Sequence, residues 1–296
     1  MNYIVFDLEW NQSPGGKKYS NSRLPFEIIE IGAVKMNEQR EVVDVFQRLV
    51  KPQVYNWIHD SIHEVIHVDY KDLADGEPFQ QAVREFLKWC GEEYVFCTWG
   101  NQDVMELQRN MKYYGMLSLL PGPVTYYDVQ KIYGICHEEA GGRRSLEFAI
   151  DQMGIPKAQD FHRALTDARY TGDIFKTLEP AAICANSSID VYQNPKNKKE
   201  EIFISYPTYD QYVSREFADK EKVMKDREVA STRCPVCHMP AKRKIRWFMN
   251  NSRAYESVSL CQKHGYIKGK VRIRHTDEDA YYACLLYTSD AADELD

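Results

Sequence analysis

The chain has 296 residues, 44% of them apolar, and a formal net charge of −6. That length and apolar content suffice for one large domain or two smaller ones with buried cores. No apolar run approaches the ~18 residues of a membrane span, and the opening residues lack the basic region of a secretory leader.

The first strand is predicted over Asn2–Trp10. Strand side chains alternate faces, so Val5, Asp7 and Glu9 point one way and Ile4, Phe6 and Leu8 the other. Two acids thus stand together at the carboxyl end of an apolar strand, the edge where ligands of α/β sheets gather. Unit charges ~4 Å apart at an effective dielectric near 20 repel by roughly 4 kcal/mol. If further acids join them, a bound cation is the sensible counterweight.

Residues 12–24 are polar and rich in Gly, Ser and Lys, a loop beside those acids. Phe26–Met36 and Glu41–Val50 are β-rich runs joined by Asn37-Glu38-Gln39-Arg40, which predicts a hairpin. Glu30 lies inside the second run, with either a supporting role near the acids or a structural one. Residues 52–92 read as helices and loops, including an amphipathic stretch that starts near Pro78 and carries Phe79, Ala82, Val83, Phe86, Leu87 and Cys90. His59, His63 and His67 recur every four residues. No acid or cysteine accompanies them at ligand spacing, so they are taken as structural or surface histidines.

Tyr94–Thr98 is a short buried strand, followed by a helix over Val104–Gly115 with Asp103 at its start. Val124–Asp128 is another strand ending in an acid, and Arg143–Gly154 a helix ended by Gly154 and Pro156. Asp160–Leu178 is the last long helix of this part, holding His162 and Asp167. On an ideal helix five residues turn by about 140°, so those two cannot share a face. His162 is therefore expected on the loop or first turn before the helix that carries Asp167.

In order, the acids read Asp-x-Glu, then Asp103, then His-x4-Asp. With Ile28-Ile29-Glu30-Ile31-Gly32-Ala33-Val34 and Arg163-Ala164-Leu165, this set resembles the DEDDh family of 3′–5′ exonucleases over residues 1–180. The first motif, Asp7-Leu8-Glu9-Trp10, is most similar to the bacterial sporulation-inhibitor and eukaryotic short-RNA-trimming branch. The resemblance implies a ribonuclease-H-like α/β fold over residues 1–184: a mixed five-stranded sheet, three antiparallel strands continued by parallel ones, flanked by helices. It also implies removal of nucleoside 5′-monophosphates from 3′ ends, RNA preferred over DNA. Asp7, Glu9, Asp103 and Asp167 would hold two Mg²⁺ or Mn²⁺ ions, since hard cations favour carboxylate oxygens, with Asp7 bridging them. His162 would be the general base. Leu8 and Trp10 would flank the scissile bond; Trp10 is placed equally well to stack on a base or to pack under the adjacent loop. Asp128 is expected to play a supporting or structural part. Many relatives carry a Thr-Gly-Ile turn where this chain reads Ile66-His67-Val68, which leaves that substrate contact in doubt. Two rival readings stay open: the same chemistry as a DNA repair or proofreading enzyme, and an idle fold attached to a nucleic-acid-binding regulator.

Residues 185–231 are expected to be a linker. A small zinc-ribbon module follows over 232–276, where Cys234-Pro-Val-Cys237 and Cys261-Gln-Lys-His264 each present two ligands from one tight turn, suiting one tetrahedral Zn²⁺. Lys242 to His275 carries ten Lys/Arg and one acid, Glu256, which leaves about −15 on the remainder. Its basic, aromatic-laced surface (Arg243, Lys244, Arg246, Trp247, Phe248, Tyr266, Lys268, Lys270, Arg272, Arg274) reads as a nucleic-acid platform. Cys90, Cys97, Cys136 and Cys184 are read as buried free thiols of a cytoplasmic protein. From Cys284 to Glu294 the chain resembles the in-frame translation of a transposase sequencing adapter, so residues 284–296 are set aside from fold reasoning.

Overall fold

The computed structural model describes residues 1–58, 70–137, 142–157 and 161–289. The histidines at 59, 63 and 67 and the segment Ile66-His67-Val68 lie outside them. The chain divides into two compact units, Met1–Tyr192 and Gln193–Asp296.

In the first unit, β1 (Asn2–Gln12), β2 (Phe26–Met36) and β3 (Val42–Leu49) pair antiparallel, with the Asn37–Arg40 turn between the last two. β4 (Tyr94–Thr98) runs parallel to β1, and β5 (Val124–Asp128) parallel to β4. A sixth strand, β6 (Ser188–Asp190), closes the edge antiparallel to β5, giving the order β3-β2-β1-β4-β5-β6. The sheet is thus six-stranded rather than five-stranded, and the unit runs past residue 184 because pairing with Val124–Tyr126 draws residues 188–190 in.

Both faces of the sheet are buried along its central strands, which is why these read as nearly continuous apolar runs, whereas edge strand β3 leaves Val42, Val43 and Val45 exposed. Ile4, Phe6 and Leu8 pack with α2 (Phe79–Cys90) and α3 (Gln102–Tyr113) on one side. Val5, Val34, Met36 and Cys97 pack with α4 (Val129–His137), α5 (Leu146–Gln152), α6 (Ala164–Thr177) and α7 (Pro180–Ala185) on the other. A short α1 (Tyr70–Ala74) precedes α2. Helix α5 is shorter than expected because Ser145 caps it, its Oγ accepting from Phe148 N, and Gly154 leaves at a φ of 64°. Cys90 and Cys97 are buried as expected; Cys136 and Cys184 are exposed, since they lie on the outward sides of α4 and α7.

The second unit is one antiparallel six-stranded sheet, ordered β7-β8-β12-β11-β10-β9. It comprises β7 (Ile202–Ser205), β8 (Tyr209–Val213), β9 (Lys242–Met249), β10 (Tyr255–Cys261), β11 (Gly265–His275) and β12 (Tyr281–Thr288). The short helices α8 (Lys220–Val223) and α9 (Arg227–Ala230) bury Val223 and Val229 in its core. Two expectations change here. The segment read as a linker supplies β7, β8 and both helices, so the zinc-ribbon strands are half of a larger sheet. Residues 284–288 also belong to that sheet, paired with both β11 and β8, with Leu285 and Tyr287 buried. Pairing is a backbone property, and the alternating Cys284-Leu-Leu-Tyr-Thr supplies it whatever its origin. Among the described residues no helix is long and apolar enough to cross a membrane.

Candidate active site

The acids meet where β1 ends and α6 begins. Asp7 lies opposite Gly32 in the β1–β2 register and Glu9 opposite Glu30, with a bulge immediately after Glu9. A Cβ at Gly32 would stand 2.0 Å from Leu165 N and 2.2 Å from Ala164 C. The first turn of α6 therefore rests directly on β2, which only glycine permits, and Asp167 in that turn comes beside Asp7. Ligand oxygens of Asp7, Glu9 and Asp167 lie within 4.8 Å of one another.

Asp103 arrives by another route. Beyond Val5, β1 has no partner on its β4 side, so the Leu8 N–H is left at an open edge. The chain turns after β4 through Gly100, at a φ of 102°, and places Asp103 in the first turn of α3. Asp103 Oδ1 accepts the Leu8 N–H at 3.2 Å, which ties the third acid to the residue between the first two.

Burial and mutual repulsion raise every one of these carboxyls. Burial, then the charges of Asp103, Glu9 and Asp167, hold Asp7 well above its ordinary range. Burial first and neighbouring acids second push Glu9 to about 8. Burial lifts Asp103 to about 7 against the Leu8 hydrogen bond, and Asp167 to about 6 against that from His162. Asp167 Oδ1 is buried and has no hydrogen-bond partner. A donor set made wholly of carboxylate oxygens, one of them orphaned, fits a hard divalent cation.

His162 lies outside the helix, as the 140° argument requires. It is exposed, at a φ of 67°, and its N–H donates to Asp167 Oδ2 at 3.2 Å. Left-handed backbone is uncommon for a side chain other than glycine and tends to mark functional sites. The next residue anchors the turn: Arg163 Nε and Nη2 donate to Glu30 Oε2 and Oε1 at 3.1 and 3.0 Å, and Gln47 Nε2 donates to the same Oε1 at 2.7 Å. Glu30 is thereby occupied as the anchor of the His162 turn. Arg163, which the sequence offers only as part of the Arg163-Ala164-Leu165 match, thus ties the His162 turn to β2.

The remaining candidates pack. Leu8 is 3% exposed, its side chain packed in the first core, and it meets the site through its backbone N–H. Of the two roles open to Trp10, packing is the one displayed, with its ring 6.0 Å from that of Phe26. Asp128 caps α4 through Lys131 N at 2.9 Å and pairs with Arg143 Nη2 at 2.8 Å, a structural part.

In the second unit, Cys234, Cys237, Cys261 and His264 form a Cys3His cluster that fits a zinc ribbon. Tetrahedral zinc with Zn–S bonds of about 2.3 Å has S···S edges of about 3.8 Å. Cys237 Sγ and Cys261 Sγ are 3.7 Å apart, and His264 Nδ1 lies 3.4 Å from Cys234 Sγ and 3.7 Å from Cys261 Sγ. The backbone N–H of Lys263 helps bring the Cys261 thiol down to about 6, which favours the thiolate that a metal requires. Cys261→Ser is expected to remove one equivalent of zinc per chain and to lower the unfolding midpoint of this unit by on the order of 10 °C or more. Zinc analysis alongside calorimetry checks it.

The fold has counterparts among solved structures. The nuclease domain of 3'hExo, a DEDDh family member bound to rAMP, is 18% identical, with a TM-score of 0.52 over 59% of this chain and 90% of that one. A 3'-exonuclease in 3'-end specific recognition of a histone mRNA stem-loop is 16% identical, with a TM-score of 0.51 over 64% and 70%. E. coli Exonuclease I in complex with a dT13 oligonucleotide is 13% identical, with a TM-score of 0.50 over 67% and 45%. At such identities the likeness is one of fold. No curated protein sequence matches. The family described as Exonuclease (RNase_T) matches residues 4–175, more than half of the chain, and the chain therefore belongs to that exonuclease family.

Proposed function

We propose that this exonuclease domain removes nucleoside 5′-monophosphates from nucleic-acid 3′ ends, RNA in preference to DNA, with His162 as general base. The observation that carries the reading is the meeting of Asp7, Glu9 and Asp167 within 4.8 Å, beside an Asp103 held through Leu8. Those four carboxylates would hold two divalent ions, Mg²⁺ or Mn²⁺. Bound there, the ions supply charge neutralisation at the scissile phosphate and a more acidic attacking water.

The chain's own residues do the rest. The carboxylates fix the site between β1, α3 and α6, three rigid elements, so little reorganisation is needed as charge develops. An imidazole nitrogen of His162 takes the proton of the attacking water as oxygen bonds to phosphorus. The bond from phosphorus to the 3′ oxygen breaks, and that oxygen leaves with the electron pair and is protonated by solvent. Arg163, clamped to Glu30, keeps the His162 turn in register, while the exposed position of His162 lets its ring move onto substrate. The RNA preference draws on the Asp7-Leu8-Glu9-Trp10 motif and on two similar folds described with rAMP and with an mRNA stem-loop.

Labelled RNA and DNA oligomers incubated with Mg²⁺, with EDTA and with the Asp7→Ala protein test the proposal. Stepwise shortening from the 3′ end, faster on RNA and abolished in the last two, is expected; unchanged oligomers in all conditions would sink it. His162→Asn should lower kcat by about 10²–10⁴-fold while leaving divalent-cation binding and the melting temperature unchanged. A variant that keeps the parent kcat would show another group to be the base.

A further inference from the structure

The basic residues of the second unit do not form one surface: strand alternation sorts them. Lys268, Lys270, Arg272 and Arg274 recur every second residue along β11 and share one face, while Ile267, Gly269, Val271 and Ile273 share the other. The second set faces the core under α8 and α9. Trp247 belongs to that covered side, where Gly269 makes room for its ring and its Nε1 donates to Ala230 O at 3.0 Å. Arg243 donates to the same carbonyl. Both therefore leave the platform expected from sequence.

The opposite face is open over β9, β10 and β11 and closes toward β8, where Val213 is buried. Register puts Leu260, Val258 and Glu256 of β10 across from Tyr266, Lys268 and Lys270, and Ile245 and Phe248 of β9 on the same side one strand farther out. Phe248 is 49% exposed, Ile245 40% and Tyr266 39%. Glu256 is the single carboxylate that these three strands offer the face, and it lies 3.6 Å from Lys270. Among the described residues neither Arg272 nor Arg274 pairs with a carboxylate.

We propose that this open sheet face binds single-stranded nucleic acid, with the β11 cations following the phosphates and Phe248 and Tyr266 receiving bases. Alternate residues of a strand are about 6.8 Å apart, so β11 offers a regular line of positive charge suited to an extended polyanion. Aromatics beside that line supply what a duplex, with its bases already stacked, does not use. The charge excess selects a polyanion over a second copy of this acidic chain. The face belongs to the second unit and the carboxylate site to the first, so the two claims can fail independently.

The test uses the full chain carrying Asp7→Ala, so that oligomers stay intact, and titrates labelled single-stranded RNA, single-stranded DNA and a duplex across a salt series. Adding Arg272→Gln and Arg274→Gln should weaken single-strand binding at least tenfold. It should also reduce the slope of log affinity against log salt by about 1.4, at ~0.7 per lost phosphate contact. Phe248→Ala should weaken single-strand binding about tenfold and leave duplex binding unchanged. Unaltered zinc content and unfolding midpoint show that these surface variants still fold. Equal loss on duplex and single strand with Phe248→Ala would overturn the single-strand assignment, and an unchanged salt slope in the double variant would overturn the face. If Asp7→Ala alone still degrades oligomers, the catalytic reading falls while the face is judged on its own slopes.

Discussion

Asp7→Asn is expected to abolish cleavage, by at least ~10³-fold, and at the same time to stabilise the metal-free protein near pH 8. The first effect follows from removing one carboxylate of the proposed metal site: about 4 kcal/mol of transition-state stabilisation is three powers of ten in rate. The second has the opposite sign because, without a cation, Asp7 is a liability. It is half-buried among Asp103, Glu9 and Asp167, and every ionised neighbour raises the cost of ionising it. Asparagine keeps the shape and removes the charge.

The same reasoning fixes the pH dependence. The folded-state values of Glu9, Asp103 and Asp167, about 8, 7 and 6, all lie above those of free carboxyls. The fold binds these protons more tightly than the unfolded chain does. Their contribution is thus fully present below the ordinary carboxyl range and is lost from there upward as pH rises to about 8. Metal-free protein should melt at progressively lower temperature across that window. Divalent cation should reverse the trend: at 100 times its dissociation constant it adds about 2.7 kcal/mol, or roughly 5–10 °C for a unit of this size. At pH 8 the two proteins should therefore cross, Asp7→Asn melting higher without Mg²⁺ and the parent higher with it. Melting curves with and without Mg²⁺ at pH 5.5 and 8 read this directly. A variant that melts lower than its parent in both states would show the carboxylate to be structural.

Much of this site was legible in the chain because its signals are local. The alternation of Ile4, Phe6 and Leu8 against Val5, Asp7 and Glu9 settles which face the acids share. The helical repeat alone separates His162 from Asp167, and α6 indeed starts at Ala164. What stayed hidden depends on partners distant in sequence. Arg163 and Glu30 are 133 residues apart, and only the β1–β2 register with the seat of α6 brings them together. Residues 188–190 and 209–213 are short, polar-laced segments whose strand character comes from the neighbours they pair with, and that is a tertiary property. The same holds for Leu8, whose N–H became an anchor for Asp103 because β4 stops short of it.

Gly32→Ala should be as damaging as the loss of a catalytic side chain, although the substitution adds only one methyl group and removes no functional group. Its Cβ would sit 2.0 Å and 2.2 Å from backbone atoms of Leu165 and Ala164, where ordinary contact starts at 3.4 Å. Neither atom is the end of a flexible side chain, so the first turn of α6 must lift off β2 by more than an ångström. Overpacking of this kind costs about 1–3 kcal/mol. The lift also carries Asp167, His162 and Arg163 away from Asp7 and Glu30 together, and a misplacement of ~1 Å costs on the order of 10²-fold in rate. Gly172, two turns along the same helix, is the internal control. A Cβ there meets Val34 Cγ2 at 3.4 Å and Met36 Sδ at 3.5 Å, ordinary contacts. Replacing a helical glycine with alanine gains up to ~1 kcal/mol of helix propensity. Gly172→Ala should therefore keep cleavage and melt no lower than the parent, while Gly32→Ala loses at least ~10²-fold in kcat/KM and melts several degrees lower. Equal behaviour of the two variants would mean that the seat of α6 on β2 does not set the spacing of the acids.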